Sequence, residues 1–300
     1  MSSSVSDRCL VIVIGARSQI GHFLLPALRK VGYQVIALSR TAHGEDRDGV
    51  KWRSLNDLER TVVGLAPPQT PKPVSAAVIH LAPISVFPPL LERFAKLGVS
   101  RVVAFSSTSI FTKSKSPDRN ELHLVEGLVA AERSIARISE QLGMQWTVFR
   151  PTLVYSWGHD RNVSEIGRFI QRIKFFPLVG EGRGQRQPVH AEDLANACIA
   201  ALQNDATYGK AYNLAGRRTL SYRAMVEEIF AYLGAEPRFV SVPGWLIRGA
   251  IRVARAIPRF RSLSPELVTR MQQDMCFDCV DAERDFGFNP RPFSLVRGSE

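Results

Sequence analysis

The sequence predicts an α/β fold, a doubly wound parallel sheet with a smaller C-terminal domain, on three observations. Residues 10–14, Leu-Val-Ile-Val-Ile, form an unbroken apolar run that stops at Gly15 and gives way after Gly21 to a helical pattern. Strand-like and helix-like runs then alternate as far as Arg150-Pro151, and parallel neighbours need such crossover helices. Beyond Pro151 the pattern becomes less regular, which predicts a sheet domain over 1–155 and a smaller domain over 156–300, with residues 186–215 returning to the sheet domain.

The first element is the strand, tight turn and helix start around Gly15. Glycine is needed in such a turn where the backbone bends sharply and approaches a pyrophosphate, so that the free N–H groups of the next helix can face the phosphates. Gly15 and Gly21 fit the first and last glycines of that Rossmann-type pattern. Ser18 stands at the middle position, where its side chain takes up room near a phosphate or its hydroxyl donates to one. A strand-to-helix turn with no ligand explains the same residues, so this segment alone leaves both readings open.

The first helix, from about Gln19 to Val31, carries Pro26, which should kink it or weaken one hydrogen bond. The next strand, Gln34–Leu38, ends at Ser39-Arg40. An acid at that point would hold the ribose 2′-hydroxyl of NAD, and a cation suits the 2′-phosphate of NADP. No acid stands there, and Arg17 and Arg40 are both cations within reach, which favours NADP with NAD as the other option. Each arginine is equally well explained as a solvated surface residue.

A short strand is expected around Val50–Trp52, and the run Pro67–Pro73 reads as a rigid surface connection. Ala76–Leu81 is the next buried strand, followed by Ala82-Pro83 and a helical stretch to Leu97-Gly98. Arg101–Phe105 is a strand ending at Ser106-Ser107-Thr108-Ser109. A long amphipathic helix runs from about Asn120 to Leu142, and Gln145–Phe149 is a strand that stops at Arg150-Pro151. Ligands bind such sheets at the carboxyl ends of the strands, where Gly15, Arg40, Ala82, Ser107 and Pro151 stand. The remainder gives loops around Tyr155–Asn162 and Gly180–Pro188, helices near Ala191–Gln203 and Tyr222–Leu233, and a strand near Ala211–Leu214. From Pro243 to Pro258 the residues Arg248, Arg252, Arg255 and Arg259 recur at helical spacing beside Trp245, Ile247, Ile251 and Ala254. A basic amphipathic helix of this kind lies on an anionic membrane or partner, or is the solvated face of a packed helix.

The chain has 300 residues and a formal charge of +11, which favours anionic partners without choosing among phosphates, membrane and nucleic acid. No basic-aromatic motif points to nucleic acid. No apolar run approaches the ~20 residues that cross a bilayer, and the N-terminal residues lack a secretory apolar core, so a cytoplasmic location is expected, at most peripheral to a membrane. Cys9, Cys198, Cys276 and Cys279 are too scattered for a disulfide framework, and Cys276–Cys279 has no second ligand pair for a metal.

Six segments in order carry a resemblance: Ile14–Gly21, Val78–Ala82, Phe105–Phe111, Phe149–Tyr155, Gly180–Ala195 and Ala211–Gly216. Together they make the chain resemble an extended or atypical short-chain dehydrogenase/reductase of the NAD-dependent epimerase/dehydratase type. The resemblance implies a nicotinamide cofactor over the strand ends, touching Gly15, Arg17, Ser18, Gln19, Ile20, Gly21 and Arg40, with Leu81 and Ala82 lining it and Pro151 through Val154 near the nicotinamide. It implies that Ser107 matches the family's serine for a substrate hydroxyl. It implies too that Arg186 holds substrate phosphates, unless Arg186 is instead paired with Glu192 or Asp193. Pairing into a homodimer through the two long helices is also a family expectation.

One departure from the family bears on catalysis. The family's proton transfer rests on a tyrosine with a lysine four residues on, because a phenol near pKa ~10 is a poor base unaided. This sequence has no Tyr-x-x-x-Lys, and no tyrosine at all between Tyr33 and Tyr155. Counting back from Ala131-Glu132 puts Leu124 and Leu128 at those positions. His123 and Glu126 flank the vacated place but point away from it on a helix, which leaves Tyr155, at a strand end, as the better-placed stand-in. Two functions therefore remain: an NADP-dependent oxidoreductase or nucleotide-sugar epimerase/dehydratase relative with non-standard catalytic residues and an unidentified small-molecule substrate, or a catalytically inactive dinucleotide-binding accessory subunit of a complex or membrane surface.

Overall fold

The computed structural model describes residues 10–39, 46, 48–55, 76–254 and 266–295. Arg40, the Pro67–Pro73 run, Arg255 and Arg259 lie outside these residues. Seven strands form the main sheet: β1 (Leu10–Ile14), β2 (Gln34–Ser39), β3 (Val50–Ser54), β4 (Ala76–His80), β5 (Val99–Phe105), β6 (Gln145–Pro151) and β11 (Lys210–Leu214). Their order is β11-β6-β5-β4-β1-β2-β3, and every pair is parallel. The chain reverses its winding between β1 and β4, which is where a doubly wound sheet opens a crevice.

The continuous apolar run of β1 follows from this position. Val11 and Val13 face one core with helices α1 (Gln19–Val31) and α6 (Ala191–Leu202), while Leu10, Ile12 and Ile14 face a second core. That second core holds α2 (Leu91–Lys96) and α4 (Arg119–Gln141). A strand covered on both faces cannot alternate apolar with polar residues. The expected helix to Leu97 is broken into two 3-10 turns, Ile84–Val86 and Pro88–Leu90, before α2, as Pro88 and Pro89 remove two backbone donors. Helix α1 runs unbroken through Pro26, which sits on its exposed side.

The remaining elements are α3 (Ser109–Thr112), β7 (Val154–Tyr155), α5 (Val163–Ile173), β8 (Phe176–Leu178), β9 (Gln185–Arg186), β10 (Val189–His190) and β12 (Leu220–Ser221). They are followed by α7 (Tyr222–Tyr232), β13 (Phe239–Ser241), α8 (Gly244–Ala254), α9 (Leu267–Arg270) and α10 (Val280–Phe286). A third core, with Val163, Ile170, Met225 and Phe230, binds α5 and α7 together. Helix α5 falls in a stretch for which the sequence predicts no element between two loops. Its start is fixed by Asp160, which accepts from the N–H groups of Asn162 at 2.7 Å and Ser164 at 3.1 Å. Strand β11 and helix α6 join the main sheet although they follow Pro151 by many residues.

Candidate functional site

The glycine turn lies where β1 meets the segment after β4. Gly15 has φ +74°, and a Cβ there would stand 2.7 Å from the Ala82 nitrogen, while Leu81 N–H donates to the Ile14 carbonyl at 2.8 Å. A Cβ on Gly21 would stand 2.1 Å from the Ala16 carbonyl oxygen. Both glycines are thus required by close backbone approach, and the helix start is held hard against the strand end. Ser18 caps α1: its hydroxyl accepts from Gly21 N–H at 3.2 Å. The N–H groups of Gln19 and Ile20 belong to the first turn, which has no intrahelical acceptors for them. The Gln19 Oε1 is buried without a hydrogen-bond partner. Crowded glycines and first-turn N–H groups together fit the pyrophosphate of a dinucleotide. Arg17 is exposed on the β3 side of the turn, its guanidinium carbon 5.6 Å from the Trp52 ring centre.

The next strand end is built to fix Ser107. Thr108 donates to the Pro151 carbonyl through both its N–H, at 3.2 Å, and its hydroxyl, at 3.1 Å. The Ser107 hydroxyl donates to Ser109 Oγ at 3.0 Å and accepts from Ser109 N–H at 3.1 Å. Both groups sit at the carboxyl ends of β5 and β6, level with the glycine turn across the crevice. On α4, Leu124 is 48% exposed and Leu128 packs against the second core. His123 and Glu126 face solvent and lie 3.8 Å apart from each other.

The family model described as "NAD dependent epimerase/dehydratase family" matches residues 11–215, from β1 through β11. The chain belongs to this family. Among relatives by sequence is the mitochondrial NADH dehydrogenase (ubiquinone) 1 alpha subcomplex subunit 9 of Arabidopsis thaliana. It is 24% identical over an alignment of 266 positions that covers 80% of this chain and 62% of that protein, so the chain spans less than two thirds of that relative. Among solved structures, an epimerase from Methanothermobacter thermautotrophicus is 16% identical with a TM-score of 0.69, covering 95% of this chain and 88% of that one. The UDP-glucose 4-epimerase of Thermus thermophilus, in complex with NAD, is 20% identical with a TM-score of 0.59, covering 78% and 86%. At these identities the structural likeness establishes the shared fold.

Within the family framework two expected site residues change role. Tyr155 is 1% exposed, with its ring edge-on to His190 at 5.0 Å and to Phe293 at 4.8 Å. Burial pushes its phenol up to about 12, further from a useful base, and its ring packs as part of the third core. Arg186 is 5% exposed and donates to three carbonyls: Gln185 at 2.7 Å, Gln273 at 2.8 Å and Arg270. Its guanidinium is occupied by the chain's own 270–273 segment. The alternative pairing of Arg186 with Glu192 or Asp193 is also not what forms, because both carboxylates pair with Arg291, at 2.7 and 2.9 Å.

Several contributors are not readable in the sequence. Arg150, at the end of β6, holds Glu132 of α4 through two bonds from Nε at 3.1 Å and one from Nη2 at 2.5 Å, and lies over the Phe111 ring. Phe111 in turn meets Phe277 at 5.6 Å. A cleft of about 530 Å³ opens past β11, lined in part by Gln187, Ala215, Phe277 and Cys279. Cys279 accepts from Ala215 N–H at 3.0 Å and burial pushes its thiol up to about 11, so it is a packed thiol. The one available signal is Arg150 itself, a charge at the end of an otherwise uncharged strand.

Proposed function

We propose that the chain binds a nicotinamide dinucleotide, NADP in preference to NAD, as a bound part of its fold, and does not perform the alcohol–ketone proton transfer of its family. The observation that carries this reading is that Leu124 and Leu128 of α4 stand, counting back from Ala131-Glu132, where the family has its tyrosine and lysine, while the carboxylates one turn away on the same helix, Glu121 and Glu132, are already held by Arg270 and Arg150. The burial of Tyr155 and the three carbonyls on Arg186 support it, since they remove the two nearest substitutes for acid–base and phosphate-binding groups. The Arabidopsis relative, by its name a subunit of a larger dehydrogenase, supports an accessory role. Arg17 beside Trp52 supports the NADP preference.

A second reading rests on Ser107, whose hydroxyl is fully oriented, and on the apolar wall of Phe111 and Leu124. In that reading the bound cofactor supplies hydride to a hydrophobic, already activated acceptor, and the protein contributes only positioning.

Fluorescence titration distinguishes these readings from each other and from no binding at all. NADPH binds more tightly than NADH, and Arg17→Ala lowers NADPH affinity ~tenfold, the equivalent of one lost charged contact, while leaving NADH affinity nearly unchanged. Bound NADPH stays reduced when nucleotide sugars, sterols and quinones are added. Oxidation that Ser107→Ala abolishes would replace the silent reading with the second one, and equal affinity for both dinucleotides would remove the NADP preference.

A further inference from the structure

We infer that the C-terminal lobe carries a docking surface for an anionic lipid bilayer, formed by α8 together with the end of α5 and the β8/β13 strip between them. Helix α8 buries one face only: Ile251 is 8% exposed, and a Cβ on Gly244 would meet Val268 at 2.9 Å. At 100° per residue, Gly244, Ile247 and Ile251 fall on that inner face, whereas Trp245, Gly249 and Val253 fall on the opposite one. The outer face is therefore apolar too. Trp245 is 71% exposed and Val253 76%, with Leu246 beside them, and Arg248 and Arg252 form one rim.

The exposed apolar residues continue beyond this helix. Phe169, Ile173 and Phe175 are exposed at the end of α5, interleaved with exposed Arg168, Arg172 and Lys174. Phe175 leads into β8, which pairs with β13 in the register Phe176↔Phe239, Pro177↔Val240 and Leu178↔Ser241. Val240 is exposed on that strip, and β13 leads within a few residues to Trp245. The strip is three residues long and spans ~10 Å, with the end of α5 leading into one end of it and α8 following from the other. A cleft of about 470 Å³ lined by Arg223 and Arg238 opens along the same strip.

Charge decides the occupant. Isolated exposed apolar residues are ordinary, but a large exposed patch with a tryptophan and a rim of arginines matches the two-part demand of a lipid interface. Aromatic and branched side chains enter the acyl boundary, and arginines meet phosphate headgroups. No helix among the described residues is long and apolar enough to cross a membrane.

The test uses the full chain with vesicles of phosphatidylcholine alone and of phosphatidylcholine mixed with phosphatidylglycerol. The protein is expected to sediment with the mixed vesicles and not with the neutral ones, with the bound fraction falling as salt rises. Arg248→Glu with Arg252→Glu should weaken partitioning ~tenfold or more, and so should Trp245→Ser with Val253→Ser, each with NADPH binding and circular dichroism unchanged. Failure to sediment with mixed vesicles at low salt overturns the proposal, as does sedimentation that both double variants leave unaltered. A dimer in sedimentation velocity that Trp245→Ser with Val253→Ser converts to monomer would also overturn it, by giving the face to a second copy. The outcome is independent of the cofactor reading, which rests on the glycine turn of the main sheet.

Discussion

Gly15, His80 and Tyr155 show three ways a residue near the crevice is committed. Gly15 combines a positive φ with a 2.7 Å approach to Ala82, so Gly15→Ala must both strain the backbone and push β1 from the 81–82 segment. We expect ~1–3 kcal/mol of lost stability by urea titration and at least ~tenfold weaker NADPH binding. His80 is fully buried, stacks on Phe87 at 4.3 Å and bonds the Pro83 carbonyl through Nε2. Burial pushes its pKa down to about 4 from 6.5, so the folded state disfavours the charged ring. Its contribution is complete above pH ~6.5 and is lost as pH falls towards 4, by ~3 kcal/mol at most. Urea midpoints should therefore drop over that window, and less steeply in His80→Gln. Tyr155→Phe keeps the edge-on ring contacts, so NADPH affinity should stay within about twofold of wild type; a larger loss would return the phenol to the site.

At the scale of elements, the clearest internal joint is Arg101 on β5. Its guanidinium donates to the Val102 carbonyl at 3.1 Å, Thr147 Oγ1 at 2.6 Å, the Ala201 carbonyl at 3.0 Å and Thr207 Oγ1 at 2.8 Å, joining β5, β6 and α6. Burial lowers its pKa to about 10, which still leaves it charged at neutral pH. Replacing a buried charge by an apolar side chain of similar length relieves desolvation, whereas truncation leaves a cavity as well as unpaired carbonyls. Arg101→Met should thus cost ~1 kcal/mol and Arg101→Ala ~3 kcal/mol, measured by urea unfolding. Equal losses would mean that the hydrogen bonds alone set the cost. The elements themselves are largely legible in the sequence: the strand runs of β1, β2, β4 and β6 and the helices α1, α4, α6 and α7 lie close to where apolar periodicity puts them, because each has a face or both faces in a core. Helix α5 escapes that reading although Val163, Ile166 and Ile170 have helical spacing, since charged Asp160-Arg161 reads as loop and its capping bonds are visible only in three dimensions. The glycine turn can be read because its demand is on the backbone. The fates of Tyr155 and Arg186 cannot, because both are decided by residues about 85 to 140 positions later in the chain, Arg270, Gln273 and Phe293.

Those distant partners define the molecule as a whole. Residues 266–295 touch both the main sheet with its helices and the third core. Arg270 holds Glu121 at the start of α4 and caps Arg186. Phe277 N–H donates to Gln187 at 2.7 Å. In α10, Asp285 accepts from Lys210 and Tyr212 of β11, each at 2.7 Å, and three hydrogen-bond donors hold its carboxyl well below the usual range. Arg291 binds Asp193 of α6, and Phe293 enters the third core beside Tyr155. A segment with anchors in the main sheet and in the C-terminal lobe makes each depend on the other, so the protein should unfold in one step, with near-ultraviolet circular dichroism and release of bound NADPH sharing one thermal midpoint. Phe293→Ala with Arg291→Ala removes the two anchors nearest the lobe boundary while leaving the glycine turn untouched. In that variant the dichroism of the C-terminal lobe should melt first, below the temperature of NADPH release. A single transition in both proteins would show that the lobes are coupled through other contacts, and two transitions in the wild type would show that the segment does not couple them.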